Sequence, residues 1–142
     1  MKVVQTLLFF SLSLLLFSCD DEENREDFAF NAITLQQTQW IGTLDESYIA
    51  SLDEPVSSTI ETGIFFISKG EGKYSLKWEN IDQPIEDIFE YTIDGKILTI
   101  KNGTKLNGNW LLLQFDKHKM VLEKGTGGDK AYKGVLTLTK RH

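Results

Sequence analysis

From Trp40 onward the apolar residues recur at every second position in short runs, and this period of two constrains the fold more than any other feature of the chain. Tyr74, Leu76 and Trp78 alternate with Ser75 and Lys77. Phe89, Tyr91 and Ile93 alternate with Glu90 and Thr92, and Leu98 and Ile100 with Thr99 and Lys101. Tyr132, Gly134, Leu136 and Leu138 alternate with Lys133, Val135, Thr137 and Thr139. Successive side chains of a strand point to opposite faces, so each run has one face to bury. After residue 35 no stretch sustains the 3.6-residue apolar period of a helix.

Eight strands are expected: Thr38–Tyr48, Ser58–Ser68, Lys73–Glu79, Asp87–Ile93, Lys96–Lys101, Asn109–Phe115, a short one holding Met120 and Leu122, and Ala131–Lys140. In the sixth, Leu111, Leu113 and Phe115 are read as one face. The connections carry turn chemistry. Lys69-Gly70-Glu71-Gly72 is a glycine-bearing hairpin loop, and Asp116-Lys117-His118-Lys119 is a four-residue turn. Asp94-Gly95 reads as a type I′ turn with positive φ at both residues. Asn102-Gly103-Thr104 matches a glycosylation sequon but reads as a turn. Gly125 to Asp129 reads as a flexible loop. Ile49–Ser57, the longest gap between the first strands, is where a lid or mouth loop would sit.

Eight short strands with short connections form a meander, which hides its apolar face and removes its edges by curling shut. The expected fold class is therefore all-β, a small eight-stranded antiparallel meander barrel over residues 34–142. Such a barrel is either filled by side chains or holds one small ligand.

The start of the chain has a different character. Lys2 is followed by an apolar stretch, Val3–Phe17, which is short for a transmembrane helix of ~20 residues and suits a signal peptide over residues 1–18. Leu16-Phe17-Ser18-Cys19 resembles a lipobox, with a branched apolar residue, a small residue before the cleavage point and then the cysteine. Cys19 is the sole cysteine, so no disulfide can form within the chain. Its thiol is the expected site of lipidation, and several acyl chains at ~0.8 kcal/mol per buried methylene give a stable anchor. The expected partner of this end is the lipid bilayer, reached through palmitate-type chains on Cys19.

Residues 19–33 are then a tether. Of the 21 acids in the chain, six lie between Asp20 and Asp27, against one base, Arg25. Residues 28–142 hold 15 acids and 13 bases, so the folded part is nearly neutral. An acidic run next to the anchor repels itself and extends. It resembles the acid clusters that mark surface export of lipoproteins in some Gram-negative groups. That implies an outer-membrane, lipid-anchored protein on the cell surface, the alternative being a periplasm-facing one. No basic face is concentrated enough to pair with a phosphate backbone, which argues against nucleic acid as a partner.

Trp40-Ile41-Gly42-Thr43, Tyr91-Thr92-Ile93-Asp94-Gly95, and Met120-Val121-Leu122 with Leu136-Thr137-Leu138 together resemble the small lipocalin-like (calycin-like) domains of bacterial lipoproteins. The resemblance covers about residues 35–142. It implies a module that binds a small apolar ligand or a glycan, or a barrel that binds a protein, such as an inhibitor of a lysozyme or protease.

Signs of an enzyme are poor. His118 lies in a turn between lysines, His142 is the final residue and Cys19 is expected to carry lipid, so no Cys/His constellation or metal site is expected, and no cofactor. Asp45-Glu46, Asp53-Glu54 and Glu86-Asp87 are adjacent carboxylates, which on a strand point to opposite faces rather than across a bond. Gly125-Thr126-Gly127-Gly128 lacks the ending of a phosphate loop. Trp40, Phe66, Tyr74, Trp78, Phe89, Tyr91, Phe115 and Tyr132 read mainly as packed core. If the barrel is open at one end, Tyr74, Trp78 and Tyr91 are the first candidates to line a ligand cavity.

Overall fold

The computed structural model describes residues 32–50, 54–126 and 131–142. The expected signal peptide, Cys19 and the acidic run lie outside the described residues. A four-residue helix, α1 (Ala32–Leu35), precedes eight strands: β1 (Thr38–Ile49), β2 (Pro55–Phe66), β3 (Glu71–Lys77), β4 (Ile85–Asp94), β5 (Ile97–Lys101), β6 (Gly108–Phe115), β7 (Lys119–Thr126) and β8 (Tyr132–Arg141). Each strand pairs antiparallel with the next, and β8 pairs back onto β1, so the sheet is a closed eight-stranded meander barrel. All eight strands thus find both neighbours within the barrel.

Closure is set by which side chains face inward. In β1 these are Thr38, Trp40, Gly42 and Leu44, registered against Phe66, Ile64, Thr62 and Ile60 of β2. Gly42 also faces Leu138 of β8, and a Cβ at this position would stand 1.9 Å from the Thr137 carbonyl oxygen. Only glycine lets the two backbones approach this closely at the seam of the barrel. Gly72 has a related role, since its missing side chain is where the Phe89 ring lies.

The lumen is a packed core. Trp40, Leu44, Ile60, Ile64, Phe66, Tyr74, Leu76, Phe89, Leu98, Ile100, Trp110 and Leu112 are all buried within it, with Leu122, Leu136 and Leu138. Each such side chain contributes roughly 1.5–3 kcal/mol through burial. Leu35, carried by α1, is fully buried at the end where β1 begins, and Leu106 is fully buried at the opposite end. We call these the tether end and the hairpin end.

Four sequence expectations need correction. Leu111 and Leu113 face outward, each more than 40% exposed, whereas Trp110 and Leu112 face inward. The run Trp110-Leu111-Leu112-Leu113 is apolar on both faces, so alternation cannot choose between them. The choice is made by Trp110, which lies opposite Leu98 and donates Nε1–H to the Leu106 carbonyl at 2.8 Å. A bulge at Leu113 then turns Phe115 inward, opposite Met120. The second correction concerns Asp94-Gly95. Asp94 is still paired with Ile97, and the two loop residues are Gly95 and Lys96, with positive φ at Gly95 alone among them. A glycine-first loop is the type II′ pattern.

Third, Ile49–Ser57 is not a long loop. β1 and β2 stay paired as far as Ile49 and Pro55, because a proline is tolerated at the first position of a strand. Fourth, Gly125 and Thr126 belong to β7, with Thr126 opposite Tyr132, while the rest of the expected loop through Asp129 lies outside the described residues. The Asn102 turn is as expected: its φ of 58° is the left-handed value that Asn tolerates, and the Gly103 N–H donates to Asn107 Oδ1 at 2.8 Å.

Candidate functional site

The aromatic residues named from the sequence converge, but on one another. Phe66 packs edge-on against Tyr91 with ring centroids 5.1 Å apart, and against Phe89 at 6.1 Å. Tyr74 stacks on Phe89 at 6.3 Å. Tyr91 is 3% exposed; its hydroxyl donates to the Ser68 carbonyl, and burial raises its pKa above the usual phenol value. Tyr74, 1% exposed, accepts a long hydrogen bond of 3.5 Å from the Lys105 N–H. Trp78 lies just beyond β3, half-buried against the core, with the Lys105 ammonium 5.8 Å from its ring centroid. Tyr74 and Tyr91 thus fill the lumen, and Trp78 borders the hairpin end.

At the hairpin end the wall is uneven. β3 covers β2 only from Glu61 to Phe66, so Pro55–Ile60 run on with β1 as their strand partner among the described residues. The β1–β2 hairpin therefore overhangs its β3 side by six residues, about 20 Å at ~3.3 Å per residue. Tyr48 and Ile49 are exposed at its tip, with Tyr48 opposite Val56.

The inner side of the same end carries a polar cluster that the sequence reading missed. The Tyr132 hydroxyl donates to Glu46 Oε1 at 2.8 Å. Burial, then this hydrogen bond, then the Glu46 charge, push the Tyr132 pKa far above the usual phenol range. The Lys124 ammonium lies 5.2 Å from the Trp110 centroid and 5.3 Å from that of Tyr132, and donates to the Asn107 carbonyl at 2.6 Å. Desolvation lowers its pKa, opposed by Glu46. Glu46 was read only as half of an adjacent pair with Asp45. The pair does split across the wall, because outward-facing Asp45 accepts from Thr59 Oγ1 at 2.7 Å.

The tether end has a cleft of about 920 Å³ lined by Trp40, Phe115, the turn Asp116–Lys119, Lys140 and His142. Trp40 is fixed there by its Nε1–H, which donates to Thr38 Oγ1 at 2.9 Å, while Thr38 donates to the Leu35 carbonyl. His118 and His142, separated in the sequence by β7 and β8, come together with ring centroids 5.8 Å apart. No group of three or more His, Cys, Asp or Glu side chains able to hold a metal converges among the described residues.

No protein-family model, curated protein or solved structure matches this chain. Function has to be read from the geometry of the barrel and its two ends.

Proposed function

We propose that this protein is a lipid-anchored lipoprotein of the outer membrane, displayed on the cell surface, whose barrel recognises a protein partner through its hairpin end. The observation that carries the reading is the filled lumen. With Tyr74, Phe66, Phe89 and Trp110 packed to 1% exposure or less, recognition falls to the outside of the barrel. The overhanging β1–β2 hairpin offers two exposed apolar side chains, Tyr48 and Ile49, and a β2 segment with one free edge. Such edges bind extended segments of other proteins by strand addition. The tether favours this orientation. From Cys19 to Ala32 is 13 steps, at most about 45 Å at ~3.5 Å per residue, and α1, which follows, meets the barrel at the end away from the hairpin.

The lipocalin-like resemblance points toward a small apolar ligand or glycan instead, and a closed lumen weighs against that for the interior. The anchor is tested by growing cells with labelled palmitate: label is expected on the protein and not on its Cys19→Ser variant. Surface display is tested by proteinase treatment of whole cells. Recognition is tested by a photo-crosslinking residue at Tyr48, expected to yield one discrete adduct in whole cells that the same residue at Thr99 does not. The same adduct pattern from both positions would sink the hairpin as the recognition element.

A further inference from the structure

The cleft at the tether end has two chemically distinct parts. Its floor is aromatic: Trp40, and half-buried Phe115 with a ring centroid 6.0 Å away at 39°. Its rim holds three cations, Lys117, Lys119 and Lys140, beside the imidazoles of His118 and His142. Asp116 is the acid of the lining, and it is turned back on its own loop. Its Oδ1 accepts the N–H groups of His118 and Lys119 at 2.7 and 2.8 Å, which hold its carboxyl below the usual carboxylate range. The rim is pinned by two further backbone bonds, Asp116 N–H to the Lys119 carbonyl at 2.9 Å and Lys140 N–H to the His118 carbonyl at 2.8 Å. The salt bridges among the described residues are Lys73–Glu86 and Lys133–Glu123, so none of them engages these three lysines.

We infer that this cleft binds an anionic amphiphile, with an apolar body on half-buried Phe115 and the small exposed edge of Trp40, and a phosphate or carboxylate head among Lys117, Lys119 and Lys140. Three lysines on one rim concentrate positive charge on a nearly neutral folded part of 15 acids and 13 bases, which draws in small anions. The space of about 920 Å³ lies within the range of ~300–1,000 Å³ that holds small ligands. The lysine heads orient such a molecule outward, while Phe115 and the lysine methylenes meet its body. The site is at the end opposite the hairpin and stands whether or not the hairpin binds a partner.

The test uses residues 20–142, whose strands complete their own pairing, titrated with monomeric dodecyl phosphate and followed by NMR. Saturable one-to-one binding is expected, with shifts centred on the Trp40 indole N–H and the His118 and His142 rings. Inorganic phosphate is expected to bind about a hundredfold more weakly, and dodecyltrimethylammonium not to saturate. The exposed pair Lys117→Glu/Lys119→Glu is expected to weaken dodecyl phosphate about tenfold or more, and Lys140→Gln to weaken it in a chain with unchanged unfolding midpoint. Binding to phosphatidylglycerol vesicles as well would identify bilayer lipid as the source, and binding of the monomer alone a free amphiphile. No saturation, equal affinity for the cationic amphiphile, or full affinity in both lysine variants would overturn the site. Inorganic phosphate binding as tightly as dodecyl phosphate would overturn the amphiphile.

Discussion

The Tyr132 hydroxyl donates a 2.8 Å hydrogen bond to Glu46 across the β8–β1 seam, joining residues 86 apart in the chain. Tyr132→Phe keeps the ring over Lys124 and removes this bond, at an expected cost of about 1 kcal/mol for a half-exposed pair. The sign of the pH dependence follows from the raised pKa of Tyr132. Folding favours the neutral phenol, so this contribution is fully present below the unfolded value of ~10 and is lost as pH rises toward the folded value. Urea midpoints measured at about pH 9 and 11 should therefore fall more steeply for the parent than for Tyr132→Phe. Equal slopes would mean that this hydroxyl does not couple to folding.

The seam itself depends on Gly42. Gly42→Ala forces a methyl group to within 1.9 Å of a backbone carbonyl oxygen, not of a side chain that can turn aside. β1 and β8 must separate to admit it, and the expected loss is at least ~3 kcal/mol in urea unfolding. Gly63→Ala is the control, since its added Cβ would meet its nearest neighbour, Ser75 Cβ, at 3.9 Å. That variant should stay within about 1 kcal/mol of the parent.

The choice of face in β6 separates what the sequence makes legible from what it does not. Leu112→Ala empties a buried site and should cost ~2–5 kcal/mol, whereas Leu113→Ala, on the outer wall, should stay within ~0.5 kcal/mol. The opposite ranking would restore the face inferred from alternation alone. Strand number, order and inward residues were readable wherever polar and apolar residues alternate, as in Phe89-Glu90-Tyr91-Thr92-Ile93. They were not readable in Trp110-Leu111-Leu112-Leu113, where every residue suits a core and a distant carbonyl, that of Leu106, decides. The two ends of the barrel were the least legible. Glu46 meets Tyr132 only because the meander closes β8 onto β1, and no local spacing encodes closure; His118 meets His142 through the register of the β7–β8 pair.

Plugging of the tether end is a separate matter from closure. Leu35 lies before the first strand yet is fully buried, held by α1 and by the Thr38 hydroxyl on its carbonyl. Leu35→Ala should cost ~2–4 kcal/mol and leave the strand content unchanged by circular dichroism. It should also raise the solvent accessibility of Trp40, measurable as stronger iodide quenching. A variant that loses stability without added quenching would show that Leu35 packs elsewhere than over that indole.

The β1–β2 overhang makes a prediction on backbone dynamics that does not require a partner. An antiparallel strand bonded on one side directs alternate N–H groups to the neighbour and leaves the others to solvent. From Glu61 to Phe66, β2 lies between β1 and β3, so both sets are taken up; from Val56 to Ile60 only the β1 side is. Hydrogen exchange at neutral pH should therefore be slow throughout residues 61–66. Between Val56 and Ile60 it should alternate, with every second amide exchanging at least about a hundredfold faster than its neighbours. Uniform protection across 56–60 would mean that something already covers this edge, and uniform fast exchange that the hairpin frays. Only the alternating pattern leaves a formed strand with one free edge, which is the state that strand addition by a partner needs.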